Sequence, residues 1–389
     1  MSVVTPFPRR DLTPGHKAGP LMRAVDFQRA PFLVIWETTQ ACALACRHCR
    51  ASARPWRDPA ELTTEEGKRV IDETAELGTP LIVFSGGDPV NRPDLTLLIG
   101  HAKVRGLRTA TIPAATEGLT RELVLELKQA GLDQMALSLD FPRADLHDAF
   151  RGVSGAFART LAGAAWAREL GLPLQINTTV CGDTAPYLEE MAAFVEALGI
   201  VFWEVFFLVP TGRGGLLSGL GPAQCERLFE ILYRTQQSGR FIVKVTEAPH
   251  YRRYVAQQDR RAAAGSRRPS GPVAMPAVLT RSEGPGHTLG LAPRGVNAGN
   301  GFLFVSHRGE IFPSGFLPLS VGRIQQVSLA EAYRDSDLFR RLRTPELLRG
   351  RCGRCEYREI CGGSRSRAYG LTGDPLETDP WCAYQPSPS

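Results

Sequence analysis

The sequence predicts an α/β protein, a partial (β/α)6 barrel of the TIM type with a small C-terminal extension. Short apolar runs alternate with helical segments over residues 31–246, which is typical of parallel strands joined by helical crossovers. The six or seven strands of this stretch fall short of the eight that close a complete barrel. No GxGxxG pattern follows the first strand, which argues against a dinucleotide-binding fold. A doubly wound open sheet is the alternative.

The elements follow one another in regular order. The expected strands are PFLVIWET (31–38), LIVFS (81–85), LRTATIP (107–113), DQMALSLD (133–140), LPLQINTTV (172–180), VFWEVFFLV (201–209) and FIVKVT (241–246). The expected helices between them span 62–78, 94–106, 120–131, 155–171, 184–199 and 221–237. Thr63 or Thr64 suits the N-cap of the first helix, and Gly78 ends it.

The composition changes near residue 257, where Arg, Ala, Gly and Ser become frequent. Such a segment favours a linker or mobile loop. Residues 299–324 then have the pattern of a β-hairpin, and a short helix is expected near 328–343. The predicted domains are an N-terminal arm (1–30), the barrel (31–256), the linker or mobile loop (257–298) and the C-terminal extension (299–389).

Charge and hydropathy exclude several classes of protein. The chain has 46 basic and 40 acidic residues, a net charge of +6. It has no basic stripe interleaved with aromatic residues, so we expect no nucleic-acid partner. It also lacks an apolar run of about 18 residues and an apolar signal core, so we expect no membrane partner. A cytoplasmic protein is the resulting expectation.

The nine cysteines are too few and too unevenly placed for a disulfide scaffold. In a reducing compartment, clustered cysteines favour metal binding. The first cysteine group is Cys42, Cys46 and Cys49; the second cysteine group is Cys352, Cys355, Cys361 and Cys382. Cys181 and Cys225 stand alone and are expected to be buried as small apolar residues.

The first cysteine group places three thiolates on the loop after the first strand. Three thiolates can hold three irons of a [4Fe–4S] cluster and leave the fourth iron open to a small molecule. A structural zinc site is the alternative. His48 would be its fourth ligand, but its position between two ligating cysteines is awkward.

The segment CALACRHC resembles the CxxxCxxC signature of the radical S-adenosylmethionine (SAM) superfamily, which also places it after the first strand. The resemblance implies that Cys42, Cys46 and Cys49 bind a [4Fe–4S] cluster, whose open iron binds SAM. Reduction would then cleave SAM to a 5′-deoxyadenosyl radical, which abstracts hydrogen from an unactivated C–H bond. It also implies the partial barrel and an electron donor of the flavodoxin or ferredoxin type.

Residues at the other strand ends resemble the family's SAM contacts. SGGDP (85–89) stands where the family has a GGE-type motif, with Asp in place of the usual Glu. The resulting cofactor-binding candidates are Gly86, Gly87, Asp88, Ser138, Asp140, Asn177 and Arg213. The alternatives are an ordinary glycine turn, a helix cap at Asp140, satisfied core polarity at Asn177 and a solvated loop residue at Arg213. His48 is expected to pack against the cluster or the adenine, and no catalytic residue can be named.

Four thiolates in the second cysteine group can close an iron–sulfur cluster or a zinc site. The segment CGGSRSRAYGLTGDPLETDPWC resembles the SPASM/Twitch extension of the haem-biosynthesis branch of the same superfamily. This resemblance implies one auxiliary [4Fe–4S] cluster ligated by all four cysteines. A second auxiliary cluster is not expected, because Ser314 and Ser364 stand where further cysteines are common.

The resemblance implies a small-molecule substrate, a carboxylate of the tetrapyrrole type that is oxidised or decarboxylated. The alternative is a peptide-modifying SPASM enzyme, which loses weight because only about 30 residues precede the first strand, fewer than a leader-binding domain needs. A remote alternative is a non-catalytic iron–sulfur or zinc module. That reading leaves the polar strand ends unexplained.

Overall fold

The computed structural model describes residues 25–237, 240–265 and 295–387. Most of the expected N-terminal arm and residues 266–294 of the expected linker lie outside these ranges. The strands are β1 (Leu33–Glu37), β2 (Leu81–Ser85), β3 (Arg108–Thr111), β4 (Gln134–Ser138), β5 (Leu174–Val180), β6 (Phe202–Phe207), β7 (Ile242–Thr246), β8 (Phe302–Val305) and β9 (Ile311–Phe312).

The strands form one sheet in the order β7-β6-β5-β4-β3-β2-β1-β8-β9. Each neighbouring pair from β1 to β7 is parallel, which confirms the predicted parallel α/β sheet with seven strands. Within the described ranges, β7 does not pair with β8 or β9. The barrel is therefore open, as the partial barrel predicted.

The C-terminal extension is not a separate layer. Strand β8 pairs in parallel with β1, and only β9 adds an antiparallel hairpin strand. The apolar sequence FLFV allows this, because all but the first of its residues are buried. Leu303, Tyr333 and Trp381 of the extension belong to the same hydrophobic core as the barrel residue Val34.

Helices cover the strand connections. They are α1 (Thr64–Glu76), α2 (Leu95–Val104), α3 (Arg121–Gln129), α4 (Ala144–Arg151), α5 (Ala156–Glu169), α6 (Leu188–Ala197), α7 (Pro222–Gln237), α8 (His250–Gly265), α9 (Leu329–Asp335), α10 (Asp337–Leu342), α11 (Gly350–Gly353) and α12 (Arg365–Thr372). Thr63 caps α1 in a capping box with Glu66. Ser336 ends α9 and caps α10, which divides the single helix expected there.

Helix α8 corrects the expected domain boundary. It continues through residues 257–265, where the composition favoured a linker. The physical reason is that Gln, Arg and Ala are good helix formers, while the buried Tyr251 and Val255 anchor the first turns in the core.

The register aligns the carboxyl ends of the parallel strands. Ser138 lies opposite Asn177, and Glu37 lies opposite Ser85. Most of the predicted site residues therefore share one edge of the sheet. Among the described residues, none of the helices combines the length and the apolar character needed to cross a bilayer.

Candidate functional site

The first cysteine group lies on the loop between β1 and α1. Cys42 and Cys46 are buried and Cys49 is half-buried. Each sulfur accepts one hydrogen bond: Cys42 from the Leu44 N–H (3.3 Å), Cys49 from the Ala53 N–H (3.4 Å) and Cys46 from Arg151 Nη1 (3.7 Å). Such donors favour the thiolate form. Burial nevertheless raises the pKa of the Cys42 thiol to about 12, so a bound cation is needed to hold this thiolate at neutral pH.

The two glycines after β2 pack directly against this loop. The Gly87 N–H donates to the Thr39 carbonyl (2.8 Å), and the Asp88 N–H donates to the Ala41 carbonyl (2.7 Å). A Cβ atom would lie 2.6 Å from the Thr39 oxygen at Gly86 and 2.5 Å from the Ala41 oxygen at Gly87. Close backbone approach therefore requires both glycines, and the partner in the structure is the cysteine loop.

Asp88, one of the predicted SAM contacts, ties two loops of the protein together through its side chain. Its carboxylate is fully buried. It accepts hydrogen bonds from the Ala114 N–H (3.1 Å), the Thr116 hydroxyl (2.6 Å) and the Val90 N–H (3.4 Å). Burial raises the pKa of Asp88 despite these donors. The carboxylate thus ties the loop after β2 to the loop after β3.

The helix cap that was the alternative role for Asp140 is wrong. Its carboxylate is fully buried and does not cap α4. Its Oδ2 lies 2.5 Å from Arg151 Nη2, and its Oδ1 accepts the Thr179 N–H (2.8 Å). Burial opposes ionisation, but Arg151 lowers the pKa of Asp140. The carboxylate therefore holds the guanidinium that reaches Cys46.

Arg213 packs against the cysteine loop. Its Nε donates to the Cys46 carbonyl (2.8 Å), its Nη1 to the Ala53 carbonyl (3.2 Å) and its backbone N–H to the Cys49 carbonyl (3.0 Å). The preceding Gly212 has φ +54°, and a Cβ there would lie 2.6 Å from the Cys49 oxygen. Among the described residues, no partner reaches the buried Nη2 of Arg213, which leaves it a donor to offer beside the first cysteine group.

His48 stacks on Phe150, with ring centroids 4.7 Å apart and an interplanar angle of 13°. The expected packing of His48 against the cluster or the adenine stays a prediction. Burial lowers the pKa of His48 to about 4, so the ring is neutral at physiological pH.

Asn177 belongs to a polar row that the sequence reading missed. Gln175 Nε2 donates to Asn177 Oδ1 and to Glu204 Oε2, both at 2.7 Å. Glu204 Oε1 lies 2.9 Å from Lys244 Nζ and accepts the Thr246 hydroxyl (2.6 Å). Polar side chains spaced two residues apart within apolar strands were the available signal.

Four residues of this row, Gln175, Glu204, Lys244 and Thr246, line the central cavity, an open space of about 1590 Å³ including its mouth. The β1–β4 side is apolar, with Leu33, Ile35, Val83 and Ala136 among its residues. Phe316 of the extension also lines it. The cavity is large enough for a sizeable, mainly apolar ligand.

The second cysteine group lines a smaller space of about 360 Å³, which all four sulfur-bearing residues share. The Gly363 N–H donates to Cys361 Sγ (3.4 Å), and the buried Arg365 donates from Nη2 to Cys352 Sγ (3.7 Å). Both groups thus have one buried arginine that donates to a cysteine sulfur.

In the described part of the chain, no three His, Cys, Asp or Glu side chains stand in a position to hold one metal ion together. Zinc and a [4Fe–4S] cluster can both take their ligands from cysteine sulfurs. Cys181 and Cys225 are fully buried in the core, as expected.

Ser314 and Ser364, which stand where further cysteines are common, lie around a carboxylate. Glu247, just after β7, accepts hydrogen bonds from the hydroxyls of Ser364, Ser366 (3.0 Å) and Ser314 (3.5 Å). Burial raises the pKa of Glu247, and its backbone has φ +57°. A non-glycine residue in this region is strained, which is typical of functional sites. The sequence reading missed Glu247 because its serine partners lie far away in the chain.

Three comparisons place these features among known proteins. Residues 36–195 match the model of the Radical SAM superfamily. The chain is 40% identical over 359 residues to the AdoMet-dependent heme synthase of Methanosarcina barkeri, which covers 92% of this chain and 97% of that relative. It is 30% identical to the PqqA peptide cyclase of Bradyrhizobium diazoefficiens, covering 92% of this chain and 87% of the relative.

The fold is also similar to that of a solved structure. The chain matches SuiB of Streptococcus suis bound to S-adenosylmethionine with a TM-score of 0.66 and 17% sequence identity. The match covers 92% of this chain and 78% of SuiB. The similarity thus includes both the barrel and the extension.

Proposed function

Because this chain belongs to the radical SAM superfamily, we propose that Cys42, Cys46 and Cys49 hold its [4Fe–4S] cluster. The three hydrogen-bonded sulfurs on the β1–α1 loop support this assignment. When bound, the cluster and SAM together supply a 5′-deoxyadenosyl radical that abstracts hydrogen from an unactivated C–H bond.

The proposed SAM-binding residues are Gly86, Gly87, Ser138, Asn177 and Arg213. They lie at the carboxyl ends of the strands, the catalytic face of barrels of this type. The free Nη2 of Arg213 suits a carboxylate, because guanidinium–carboxylate hydrogen bonds are strong. Asp88 is proposed to hold the loops after β2 and β3 together, and Asp140 is proposed to hold Arg151 in place beside Cys46.

The second cysteine group is proposed to hold one auxiliary [4Fe–4S] cluster, which would supply an electron acceptor. Cys352, Cys355, Cys361 and Cys382 would be its ligands, consistent with their shared space of about 360 Å³. Ser314 and Ser364 leave no thiolates for a second auxiliary cluster. The residues of 299–389 would then form the auxiliary-cluster part of the molecule, joined to the barrel through β8.

The proposed reaction is the oxidative decarboxylation of a propionate side chain on a tetrapyrrole. The observation that carries it is the 40% identity with a heme synthase over nearly the whole chain. In balance, R–CH2–CH2–COO⁻ loses CO2, one hydrogen atom and one electron to become R–CH=CH2. Iron coproporphyrin III carries propionates where haem carries vinyl groups, so it is the proposed substrate. The apolar walls of the central cavity suit such a ring.

The first electron would come from a flavodoxin- or ferredoxin-type donor. We propose the cytoplasm as the site of action, because a reducing compartment keeps clustered cysteines free of disulfides and able to bind metal.

Anaerobic reconstitution tests the reaction class. We expect about eight irons per chain and 5′-deoxyadenosine on addition of SAM and dithionite. Cys46→Ala should abolish 5′-deoxyadenosine, whereas Cys181→Ala, which removes a buried cysteine outside both groups, should retain it. Unchanged 5′-deoxyadenosine formation by Cys46→Ala would overturn the first site, and about four irons with one zinc would overturn the auxiliary cluster.

The substrate needs a separate test against the peptide alternative, which the 30% identity with a peptide cyclase supports. Haem formation from iron coproporphyrin III, followed by mass spectrometry, is the expected result. Formation of 5′-deoxyadenosine without any change to the tetrapyrrole would reject the tetrapyrrole substrate and favour a peptide.

A further inference from the structure

The basic side chains of the central cavity differ in whether an acidic residue pairs with them. Two basic side chains among the described residues line it, Lys244 and Arg252. Lys244 is already neutralised, because its Nζ lies 2.9 Å from Glu204 Oε1. A ligand carboxylate would therefore have to compete with Glu204 for this cation.

Arg252, in the first turn of α8, is different. Its Nη2 donates to the Val296 carbonyl (2.6 Å) and its Nη1 to the Ile360 carbonyl (3.3 Å). Within the described ranges, no Asp or Glu forms an ion pair with it. Burial lowers the pKa of Arg252, yet a guanidinium remains protonated at physiological pH. The cavity wall thus contains a positive charge without an acidic counterpart.

The guanidinium is held in one place. Gly295 lies so close to it that a Cβ at this position would overlap the Nη1 atom. The two carbonyl acceptors fix its plane, and this preorganisation lowers the cost of ordering the side chain when an anion binds. A fixed guanidinium with unused donors matches the planar geometry of a carboxylate.

Arg252 also joins helix α8 to the C-terminal extension, which contains the second cysteine group. Its acceptor Ile360 directly precedes Cys361 of the second cysteine group. A carboxylate bound to Arg252 from the cavity would therefore lie on the side of the cavity that faces the second cysteine group.

We infer that Arg252 binds a carboxylate of the substrate and so selects carboxylate-bearing ligands for the central cavity. This inference rests on the proposed function for the identity of that substrate, a tetrapyrrole with propionate side chains. It adds the residue that recognises the propionate and the orientation of that propionate toward the second cysteine group.

The test measures binding of metal-free coproporphyrin III to the reconstituted full-length protein by fluorescence anisotropy. Arg252→Gln should raise the dissociation constant at least tenfold, as expected for loss of a charge-assisted hydrogen bond. Arg252→Lys should give an intermediate value, because it keeps the charge but loses the planar fork. Arg261→Gln, on the exposed part of the same helix, is the matched control and should bind like the wild type.

The tetramethyl ester of the same porphyrin separates carboxylate recognition from a damaged cavity. Wild type and Arg252→Gln should bind the ester equally, because it has no carboxylate. Equal binding of the free acid by wild type and Arg252→Gln would overturn the inference and leave the proposed function intact. A wild-type protein that forms 5′-deoxyadenosine but does not bind coproporphyrin III would overturn both the inference and the tetrapyrrole substrate.

Discussion

At the scale of single residues, the first site depends on a buried charge chain from Asp140 through Arg151 to Cys46. Asp140 and Arg151 lie 2.5 Å apart with little or no exposure, and Arg151 donates to the sulfur. In this series of contacts a carboxylate orients the cation that stabilises a thiolate. In the second cysteine group Arg365 also donates to a sulfur, that of Cys352, but the carbonyls of Pro375 and Glu377 hold its guanidinium.

Asp140→Asn should therefore affect both stability and cluster retention. Removing one partner of a buried ion pair leaves the other charge without compensation, at a cost of about 3 kcal/mol in the free energy of unfolding. Denaturant unfolding of the cluster-free protein measures that cost, and iron analysis after gel filtration measures retention. Glu169→Gln, which breaks the exposed pair with Arg121, is the control and should change neither. Full stability of Asp140→Asn would contradict the role given to the pair.

The second prediction at the residue scale concerns Gly87, one of the two glycines after β2. A Cβ at Gly87 would lie 2.5 Å from the carbonyl oxygens of both Gln40 and Ala41, and backbone atoms cannot give way as a flexible side chain can. Gly87→Ala should therefore displace the cysteine loop and reduce the iron bound at the first site. Gly100→Ala makes the same substitution inside α2, where the nearest atom is 3.9 Å away. That variant should be neutral or more stable, and equal iron contents in the two variants would contradict the packing argument.

At the scale of elements, the sequence pattern predicted the features that depend only on neighbouring residues, namely the individual strands and the cysteine groups. Apolar runs marked β1–β7, and cysteine spacing marked both cysteine groups. The pattern could not place β8 beside β1, because strand pairing between distant segments leaves no trace in a single apolar run. Helix α8 was missed because an Arg- and Ala-rich segment is compatible with both helix and linker. The buried roles of Asp88 and Asp140 were missed because a carboxylate at a strand end looks the same whether it faces a ligand or a guanidinium.

The loop after β7 and the extension meet at Glu247, and this contact makes the element-scale prediction. Three serine hydroxyls donate to its carboxylate, so the space is occupied by a carboxylate and its hydrogen bonds. The double substitution Ser314→Cys and Ser364→Cys introduces two thiols without removing Glu247. Iron content should therefore remain at about eight per chain. A rise to about twelve irons, with new electron paramagnetic resonance signals, would show that the serines alone exclude a second auxiliary cluster.

At the scale of the whole molecule, a buried ion pair within the extension also contacts the barrel. Arg367 of α12 binds Asp379 through two hydrogen bonds of 2.9 and 2.7 Å and donates to the carbonyl of Leu208, just after β6. Its guanidinium also lies 4.3 Å from the centre of the Trp381 ring. These contacts bring the second cysteine group against the barrel wall, which is the arrangement that electron transfer between substrate and auxiliary cluster would need.

A second connection joins β1 to the hairpin of the extension. Glu37, buried at the end of β1, accepts hydrogen bonds from His307 Nδ1 (2.7 Å) and from Arg50. Burial opposes its ionisation, but Arg50 and His307 lower the pKa of Glu37 below its ordinary value of 4.5. Burial likewise opposes protonation of His307, but Glu37 raises the pKa of His307 above its ordinary value of 6.5. Glu37 and His307 are therefore both charged between pH 4.5 and pH 6.5.

This pairing gives the stability of the protein a specific pH dependence. Folding raises the pKa of His307. Its contribution to the free energy of unfolding is therefore complete below pH 6.5 and is lost as the pH rises through the pKa of the folded protein. Glu37 contributes above pH 4.5, and its part is lost as the pH falls through its lowered pKa. The difference in free energy of unfolding between wild type and His307→Gln should thus be largest near pH 6 and shrink toward pH 8.5, because Glu37 then keeps a neutral partner in both proteins. Arg323→Gln breaks the exposed pair with Glu310 on the same hairpin, leaves the Glu37–His307 pair in place and should give a flat difference. A difference for His307→Gln that grows with pH would mean that His307 is neutral in the folded protein and that the extension is held by other contacts.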